Sequence, residues 1–369
     1  MEKIRFDDFI KLNRGFDLPD SQIEDGVYPV VASTNIKAHH STYKVNGPMV
    51  VTGRSGSLGA VQYIEGKCWP LNTTLYVKDF KNNNPRYVYY FLKTMHLEQY
   101  NAGAGVPTLN QNHLHSLKIN VHEKEDQRRI ASILSAYDNL IENNNKRIRL
   151  LEQMAENLYK EWFVRFRFPG HEKVEMENGL PKGWKYERLD AIASINMGQS
   201  PPSSFYNEEQ KGLPFHQGVG SYGDIYLKDE IYSTQGAKVA ESNSIIFSVR
   251  APVGRINITL NKIYLGRGVA AINAINGNNG FLYWSLRSKF AKEDTIGNGA
   301  IFSSVTRDEL GRQKMIVPDK STVAKFESIA NKMENLIRDI TNQNKSLTRQ
   351  RDLLLPRLMS GKLDVKDGK

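Results

Sequence analysis

Two segments of the chain share a pattern in which apolar positions recur at alternating intervals of four and three residues. The first seam comprises Ile130, Leu134, Tyr137, Ile141, Asn144, Ile148, Leu151, Ala155, Leu158 and Trp162. The second seam comprises Phe326, Ala330, Met333, Ile337, Ile340, Asn344, Leu347, Arg351, Leu354 and Leu358, in the same phase. A sustained period of ~3.5 residues is typical of coiled coils. The pattern predicts two long helices.

A single Asn interrupts each seam, Asn144 in the first and Asn344 in the second. A buried Asn in a two-stranded coil costs stability but specifies the register. We therefore expect the two helices to pair antiparallel through their seams, although Arg351 weakens the second one. The alternative is that each helix packs on its own domain, which produces the same apolar spacing.

The two regions that precede the predicted helices resemble each other in sequence. The strand-like run 49–52 matches 244–247, the stretch 87–93 matches 281–287, and Tyr28-Pro29-Val30 matches Leu213-Pro214-Phe215. The glycine-containing turn 54–59, which begins with Arg54, is matched with 250–254, which begins with Arg250, and 103–105 is matched with 297–299. One irregular α+β domain, a twisted β-sheet with small helices, is thus expected in two copies.

Turn residues at 169–171 and 178–184 interrupt the periodicity between the two halves. We divide the chain into a first domain (1–122), a central helix (123–168), a linker (169–183), a second domain (184–318), a C-terminal helix (319–362) and a tail (363–369). Asp319 is placed to start the second helix, and Gly361 to terminate it.

The chain is basic, with 50 Lys and Arg against 40 Asp and Glu in 369 residues, which gives a formal charge of +10. This balance favours a polyanionic partner without naming it. The single cysteine, Cys68, excludes an internal disulfide and is expected to be a buried small apolar residue. A charged N-terminus and the lack of a long apolar run predict a cytoplasmic protein with no membrane segment.

The order of domain, helix, domain and helix resembles the specificity subunits of type I restriction-modification enzymes, over essentially the whole chain. The run Gln127-Arg128-Arg129-Ile130-Ala131-Ser132-Ile133-Leu134 resembles the start of that family's central conserved helix. Asn178-Gly179-Leu180-Pro181-Lys182-Gly183-Trp184 resembles the entry to its second recognition domain. The turns at 54–59 and 250–254 resemble the turn that recurs within each recognition domain.

The resemblance implies two target recognition domains joined by two long antiparallel helices, with pseudo-twofold symmetry. It implies a DNA-binding subunit that reads a bipartite, asymmetric target with a fixed spacer. Two methyltransferase subunits and two motor-nuclease subunits would carry out methylation and cleavage, using S-adenosylmethionine, ATP and Mg²⁺. This chain would itself be non-catalytic and hold no cofactor. The seam from Ile130 to Trp162 would extend about 48 Å, or roughly 14 base pairs.

Base edges are read by side chains with defined donors and acceptors, while Lys and Arg also contact phosphates. Polar residues in predicted loops are therefore the candidate contacts with double-stranded DNA. In the first domain they are Thr34, Asn35, Lys37, His39, His40, Arg54, Ser55, Asn72 and Thr73. In the second domain they are Gln199, His216, Gln217, Ser221, Tyr222, Arg250 and Arg267. Ser200, which follows Gln199, is a further candidate.

Several of these positions have a structural alternative. Arg54 and Arg250 are equally suited to bonding a local carbonyl, whereas Gly59 and Gly254 are expected to serve the turn conformation. The loop 103–110 is expected to be a structural turn rather than a DNA contact.

Two other functions, that of an enzyme and that of a structural adaptor, fit the sequence less well. A DNA methyltransferase or nuclease is disfavoured, because the chain has no Asn/Asp-Pro-Pro-aromatic signature and no phosphate-binding loop. No catalytic residue and no metal site are predicted, since His39-His40 and His113-x-His115 lack further ligands nearby. A purely structural coiled-coil adaptor explains the helices but gives no role to two basic, loop-rich domains.

Overall fold

A computed structural model describes residues 1–290 and 304–365. The chain divides into two compact units, Met1–Lys146 with Thr341–Lys369, and Arg147–Ile340. We call these unit 1 and unit 2. Each unit contains one of the repeated domains and a part of each long helix. The repeated stretch 297–299 lies outside the described residues.

The first domain is built from short strands and helices in three sheets. Its helices are α1 (Phe6–Phe9), α2 (Pro85–Thr94) and α3 (Gln111–Ser116), with 3₁₀ turns at Asp20–Gln22 and Leu97–Tyr100. Its strands are β1 (Glu2–Arg5), β2 (Lys11–Arg14), β3 (Tyr28–Val31), β4 (Ile36–His40), β5 (Met49–Gly53), β6 (Val61–Ile64), β7 (Trp69–Pro70), β8 (Thr74–Asp79) and β9 (Lys118–Val121). The sheet orders are β1-β9, β2-β8-β5-β6 and β4-β3-β7.

A long helix, α4 (Lys124–Tyr159), follows the first domain and continues into a π-helical turn at Lys160–Val164. Acidic residues in the first turn of α4 complement the helix dipole. The connection to the second domain contains a 3₁₀ turn at His171–Lys173 and a hairpin of β10 (Met176–Glu177) and β11 (Leu180–Pro181).

The second domain repeats this plan. Its helices are α5 (Leu189–Ile192), α6 (Asn279–Lys289) and α7 (Arg307–Gly311), with 3₁₀ turns at Ser203–Phe205 and Val219–Ser221. Its strands are β12 (Lys185–Arg188), β13 (Ala193–Met197), β14 (Tyr206–Asn207), β15 (Leu213–His216), β16 (Tyr232–Ser233), β17 (Val239–Ala240), β18 (Ile245–Ser248), β19 (Ile256–Ile258), β20 (Ile263–Leu265), β21 (Val269–Ala274) and β22 (Lys314–Val317).

The sheets of the second domain have the orders β12-β22, β13-β21-β18-β19 and β14-β16-β15-β20-β17. The four-stranded sheet β13-β21-β18-β19 therefore corresponds, strand for strand, to the sheet β2-β8-β5-β6 of the first domain. In both domains a strand that carries Pro pairs parallel to a later strand, β3 with β7 and β15 with β20. The predicted duplication of one α+β domain is confirmed.

The second long helix, α8 (Lys320–Met359), begins directly after Asp319 and ends two residues before Gly361. Oδ1 of Asp319 accepts a hydrogen bond from the N–H of Thr322 at 3.0 Å, which caps the helix. Gly361 follows the last turn with φ of 72°, a conformation that favours glycine.

The long helices pair antiparallel in unit 1. Nδ2 of Asn144 donates to Oδ1 of Asn344 at 2.9 Å, and NH1 of Arg351 donates to Oδ1 of Asp138 at 2.6 Å. Asp138 precedes Asn144 in α4, whereas its partner Arg351 follows Asn344 in α8. The two helices therefore run in opposite directions. Asn144 is fully buried, and Nδ2 of Asn344 donates to Asn145 at 2.8 Å.

Every predicted seam position is buried or half-buried. In unit 1 the seam residues Ile130, Leu134 and Leu358 also belong to the core of the first domain. In unit 2 the core of the second domain contains Ala155 and Phe326 from the two helices. The two interpretations of the apolar spacing are thus compatible, because each helix contacts both the other helix and a domain.

Candidate nucleic-acid interface

Three predicted polar segments of the first domain meet at the ends of β5 and β8. The hydroxyl of Ser33 donates to the carbonyls of Ser55 at 3.2 Å and Thr73 at 3.0 Å. The backbone N–H of Arg54 also donates to the carbonyl of Thr73, at 2.8 Å. We call residues 33–35, 54–55 and 72–73 the first loop cluster.

The predicted contacts of the first domain differ in their exposure. Thr34, Asn35, Lys37 and His39 are exposed, while Arg54, Ser55, Asn72 and Thr73 are half-buried. Two of these side chains already have partners, since Lys37 pairs with Asp20 and Asn72 donates to Asp17. Within residues 1–290 and 304–365, the guanidinium of Arg54 makes no hydrogen bond or ion pair.

His40 lies inside the first domain rather than on its surface. Its side chain is buried, and Nδ1 lies 3.0 Å from the N–H of Glu24, which donates to it. The imidazole ring also packs edge-on against Trp69, at 5.2 Å between centroids. Because the ring joins β4 to the loop before β3, we revise its role from a base contact to a structural residue.

The polar segments of the second domain meet in the same way. The hydroxyl of Ser200 accepts from the N–H of Arg267 at 3.1 Å and lies 3.4 Å from Oε1 of Gln217. The carbonyl of Gln217 accepts from the N–H of Gly268 at 3.0 Å, next to the strand end that carries Arg250. We call residues 199–200, 217, 250 and 267 the second loop cluster.

The exposed members of this cluster are Gln199, Gln217, Arg250 and Arg267. Two open cavities of about 510 Å³ each adjoin it. One contains Gln199 and Tyr264 in its lining, and the other contains Gln217 and Tyr206. Sequence analysis missed the two tyrosines, since neither stands in a motif and only the folded chain brings them to the cluster.

His216, Ser221 and Tyr222 are less accessible than predicted. The side chain of His216 is fully buried, with Nδ1 2.8 Å from the Ser221 hydroxyl and Nε2 2.9 Å from Oδ1 of Asp229. The hydroxyl of Tyr222 is buried without a hydrogen-bond partner in the described part of the chain, and burial raises its pKa. The burial and internal hydrogen bonds of these residues indicate a structural role. We therefore do not include them among the proposed base contacts.

The alignment of Arg54 with Arg250 is wrong by one residue. The N–H of Arg54 donates to Thr73, and the corresponding bond in the second domain runs from Val249 to Gly268, at 2.9 Å. Val249 is therefore the counterpart of Arg54. Adjacent residues of an extended segment face opposite sides, so matching by residue type alone paired two side chains that face differently.

The glycines of these turns serve the backbone, as predicted. Gly59 and Gly254 have φ of 87° and 97°, in the left-handed region that only glycine adopts readily. The loop 103–110 packs against the first loop cluster, because the N–H of Leu109 donates to the carbonyl of Arg54 at 2.8 Å. Two exposed lysines that the sequence analysis omitted stack on aromatic rings, Lys44 on Trp69 and Lys67 on Tyr43.

Other candidate chemistry is sparse among the described residues. They contain no group of three or more His, Cys, Asp or Glu side chains arranged to hold a metal ion. Cys68 is buried, as predicted, and burial raises the pKa of its thiol to about 12. None of the helices in the described ranges has the length and apolar character of a membrane span.

Comparisons with known proteins agree with this architecture. The model of the type I restriction modification DNA specificity domain matches residues 1–153 and 181–349. The putative type I restriction enzyme MjaX specificity subunit of Methanocaldococcus jannaschii is 32% identical over 323 residues, 84% of this chain and 76% of that protein. The MjaIX specificity subunit of the same organism is 27% identical over 346 residues, 87% of this chain and 78% of that protein.

The fold is also similar to a solved structure. The S subunit of the type I restriction-modification system from M. genitalium superimposes with a TM-score of 0.65, at 19% identity, over 97% of this chain and 96% of that one. At this identity the likeness supports the fold, while the family model and the sequence relatives support the function. The chain therefore belongs to the specificity subunits of type I restriction-modification enzymes.

Proposed function

We propose that each loop cluster contacts one half of a bipartite, asymmetric DNA target. The observation that carries this proposal is the convergence of segments that are distant in sequence at equivalent strand ends of both domains. The proposed contacts of the first domain are Thr34, Asn35, Lys37, His39, Arg54, Ser55, Asn72 and Thr73. Those of the second domain are Gln199, Gln217, Arg250 and Arg267.

The chemistry of these residues suits both parts of DNA recognition. Amide and hydroxyl groups match the donor and acceptor patterns of base edges, whereas lysines supply affinity that does not depend on sequence. Backbone hydrogen bonds hold each segment in place, so little ordering of the main chain is needed on binding. We therefore expect binding to weaken as the salt concentration rises.

This chain is a non-catalytic subunit, and its partners would carry out the chemistry. We propose that two methyltransferase subunits and two motor-nuclease subunits assemble on it and use S-adenosylmethionine, ATP and Mg²⁺. Helices α4 and α8 each begin in one unit and end in the other. We attribute the fixed spacer between the two half-sequences to these helices.

Exchange of residues 1–122 for the corresponding domain of another specificity subunit is expected to change one half-sequence of the target. The other half-sequence and the spacer should stay the same, because the second domain and both helices are retained. Mapping methylated adenines in a host that carries the complete system measures all three. A change in both half-sequences, or in neither, would contradict the assignment of one half to each domain.

Apolar side chains on the outer faces of the long helices support a role in subunit assembly. In unit 1, Ile133 and Leu140 are exposed on α4, seven residues apart and thus on one face. In unit 2, Ile329 and Leu336 are exposed on α8 with the same spacing and at equivalent positions. Two equivalent apolar faces fit two copies of one partner, which we take to be the methyltransferase subunit.

Leu140→Asp is expected to weaken binding of the methyltransferase subunit by about 10- to 100-fold, since a buried interface leucine contributes about 1–3 kcal/mol. Titration of the purified chain with that subunit measures the effect. Asn139→Asp, an exposed neighbour that adds the same charge, should bind normally. Equal weakening by both variants would show that charge on α4, not its apolar face, governs assembly.

A further inference from the structure

Two arginines of the second domain flank a backbone hydrogen bond at the ends of two strands, Arg250 after β18 and Arg267 in the turn before β21. The antiparallel ladder of β18 and β21 continues past both strands, because the N–H of Val249 donates to the carbonyl of Gly268 at 2.9 Å. Arg250 follows Val249 directly, and Arg267 precedes Gly268 in a turn in which the N–H of Val269 donates to the carbonyl of Gly266 at 3.2 Å. The corrected alignment therefore shows that Arg250 and Arg267 flank one backbone hydrogen bond.

The first domain has an uncharged pair at the equivalent position. There the ladder of β5 and β8 continues with the N–H of Arg54, which donates to Thr73 at 2.8 Å. Ser55 follows Arg54 and also donates its N–H to Thr73, at 3.1 Å, while Asn72 precedes Thr73 in the equivalent turn, in which Thr74 donates to Leu71 at 2.9 Å. The same strand-end position thus carries two cations in one domain and two neutral polar side chains in the other.

The arginine pair is held by its backbone while its side chains remain available. The N–H of Arg267 donates to Ser200 at 3.1 Å, and Gly268 donates to Gln217 at 3.0 Å. Both arginine side chains are exposed, and among the described residues neither guanidinium makes a hydrogen bond or ion pair. Both guanidinium groups can therefore donate hydrogen bonds to a ligand that is rich in acceptors.

We propose that this strand-end pair discriminates bases, and that Arg250 and Arg267 read guanine in the half-sequence contacted by the second domain. An arginine guanidinium donates two parallel hydrogen bonds to O6 and N7 of guanine in the major groove. Ser55 and Asn72 lack this fork, so the first domain reads its half-sequence with other chemistry at the same place. The inference rests on the proposed function and adds the base that is recognised.

The test uses the full chain in complex with its methyltransferase subunits and maps methylated adenines. Arg250→Ala and Arg267→Ala should each reduce the preference for guanine at a position of the second half-sequence, by about 10- to 100-fold. Arg250→Lys and Arg267→Lys should not restore it, because a lysine ammonium lacks the planar fork. Ser55→Ala and Asn72→Ala, the matched controls, should affect only the first half-sequence.

Three results would overturn the inference. The second half-sequence could contain no guanine, or the alanine variants could lower methylation of all sequences equally while lysine restores it, as for phosphate contacts. Alternatively, the unsubstituted complex could methylate without sequence preference, which would refute the proposed function as well. An unchanged unfolding midpoint for each variant confirms that the exposed substitutions leave the fold intact.

Discussion

Replacement of Phe326 by alanine is expected to lower the free energy of unfolding of unit 2 by about 3–5 kcal/mol. Phe326 is fully buried, and its ring lies 5.1 Å from Phe163 and 6.1 Å from Tyr159 and from Trp162, between centroids. The α6 residue Phe281 completes this cluster at 6.3 Å. Truncation would remove the ring that joins α8, α4 and the second domain, and would leave a cavity behind.

Urea unfolding of the purified chain, followed by tryptophan fluorescence, measures this effect. Three of the four tryptophans, Trp162, Trp184 and Trp284, lie in unit 2 and report on its unfolding. Leu336→Ala is the control on the same helix, because Leu336 is 40% exposed and should change stability by less than about 0.5 kcal/mol. Similar midpoints for Phe326→Ala and Leu336→Ala would mean that this aromatic cluster does not stabilise unit 2.

The second large effect concerns a buried carboxylate in unit 2 that lacks the arginine partner of its counterpart in unit 1. In unit 1, Asp138 on α4 accepts from Tyr90 at 2.5 Å and from Arg351 at 2.6 Å. The equivalent carboxylate in unit 2 is Glu334, and the position of Arg351 is taken by Ala155. Oε1 of Glu334 is buried and has no hydrogen-bond partner within the described ranges.

Burial, and then the charge of Glu327, raise the pKa of Glu334 from 4.5 to about 7, while the neighbouring Trp284 and then the charge of Arg338 act in the opposite sense. Between about pH 4.5 and pH 7, the carboxyl of Glu334 is therefore protonated in folded unit 2 but ionised in the unfolded chain. The stabilisation from this proton is complete below about pH 4.5 and is lost as the pH rises through about 7. At 1.36 kcal/mol per pH unit, the loss is about 3 kcal/mol.

Glu334→Gln is expected to remove this pH dependence. The variant should be more stable than the natural chain at pH 8, by up to about 3 kcal/mol, and nearly equal to it at pH 5. Urea unfolding at the two pH values measures the difference. Asp138→Asn is the matched control and should destabilise unit 1 at both values, because it removes the carboxylate that pairs with Arg351 and accepts from Tyr90. A natural chain equally stable at pH 5 and pH 8 would refute this account of Glu334.

The duplication and the long helices could be predicted from sequence because their signals are local and periodic. A seam such as Ile130 to Trp162 repeats its spacing over many turns, and a second copy with the same phase reinforces it. Caps such as Asp319 and Gly361 act within a few residues of their position. Each of these features depends on neighbours along the chain, so no knowledge of distant contacts is needed.

The candidate site could be predicted only in part. Polar composition predicts the loops, and the structure brings these loops together in two clusters. Whether a polar side chain in them faces outward depends on distant partners, such as Glu24 for His40 and Asp229 for His216. Such contacts between segments leave no signal in the spacing of residues. Sequence analysis therefore predicts His40 and His216 at the surface, although both are buried.

By itself, the sequence determined that the chain contains one α+β domain twice, each copy followed by a helix with an apolar seam, and that it resembles a DNA specificity subunit. The tertiary structure decided which loops meet, which polar residues reach the surface, and that Val249, not Arg250, is the counterpart of Arg54. The physical reason is that periodicity follows from local backbone geometry, whereas burial and register depend on hydrogen bonds between strands far apart in sequence.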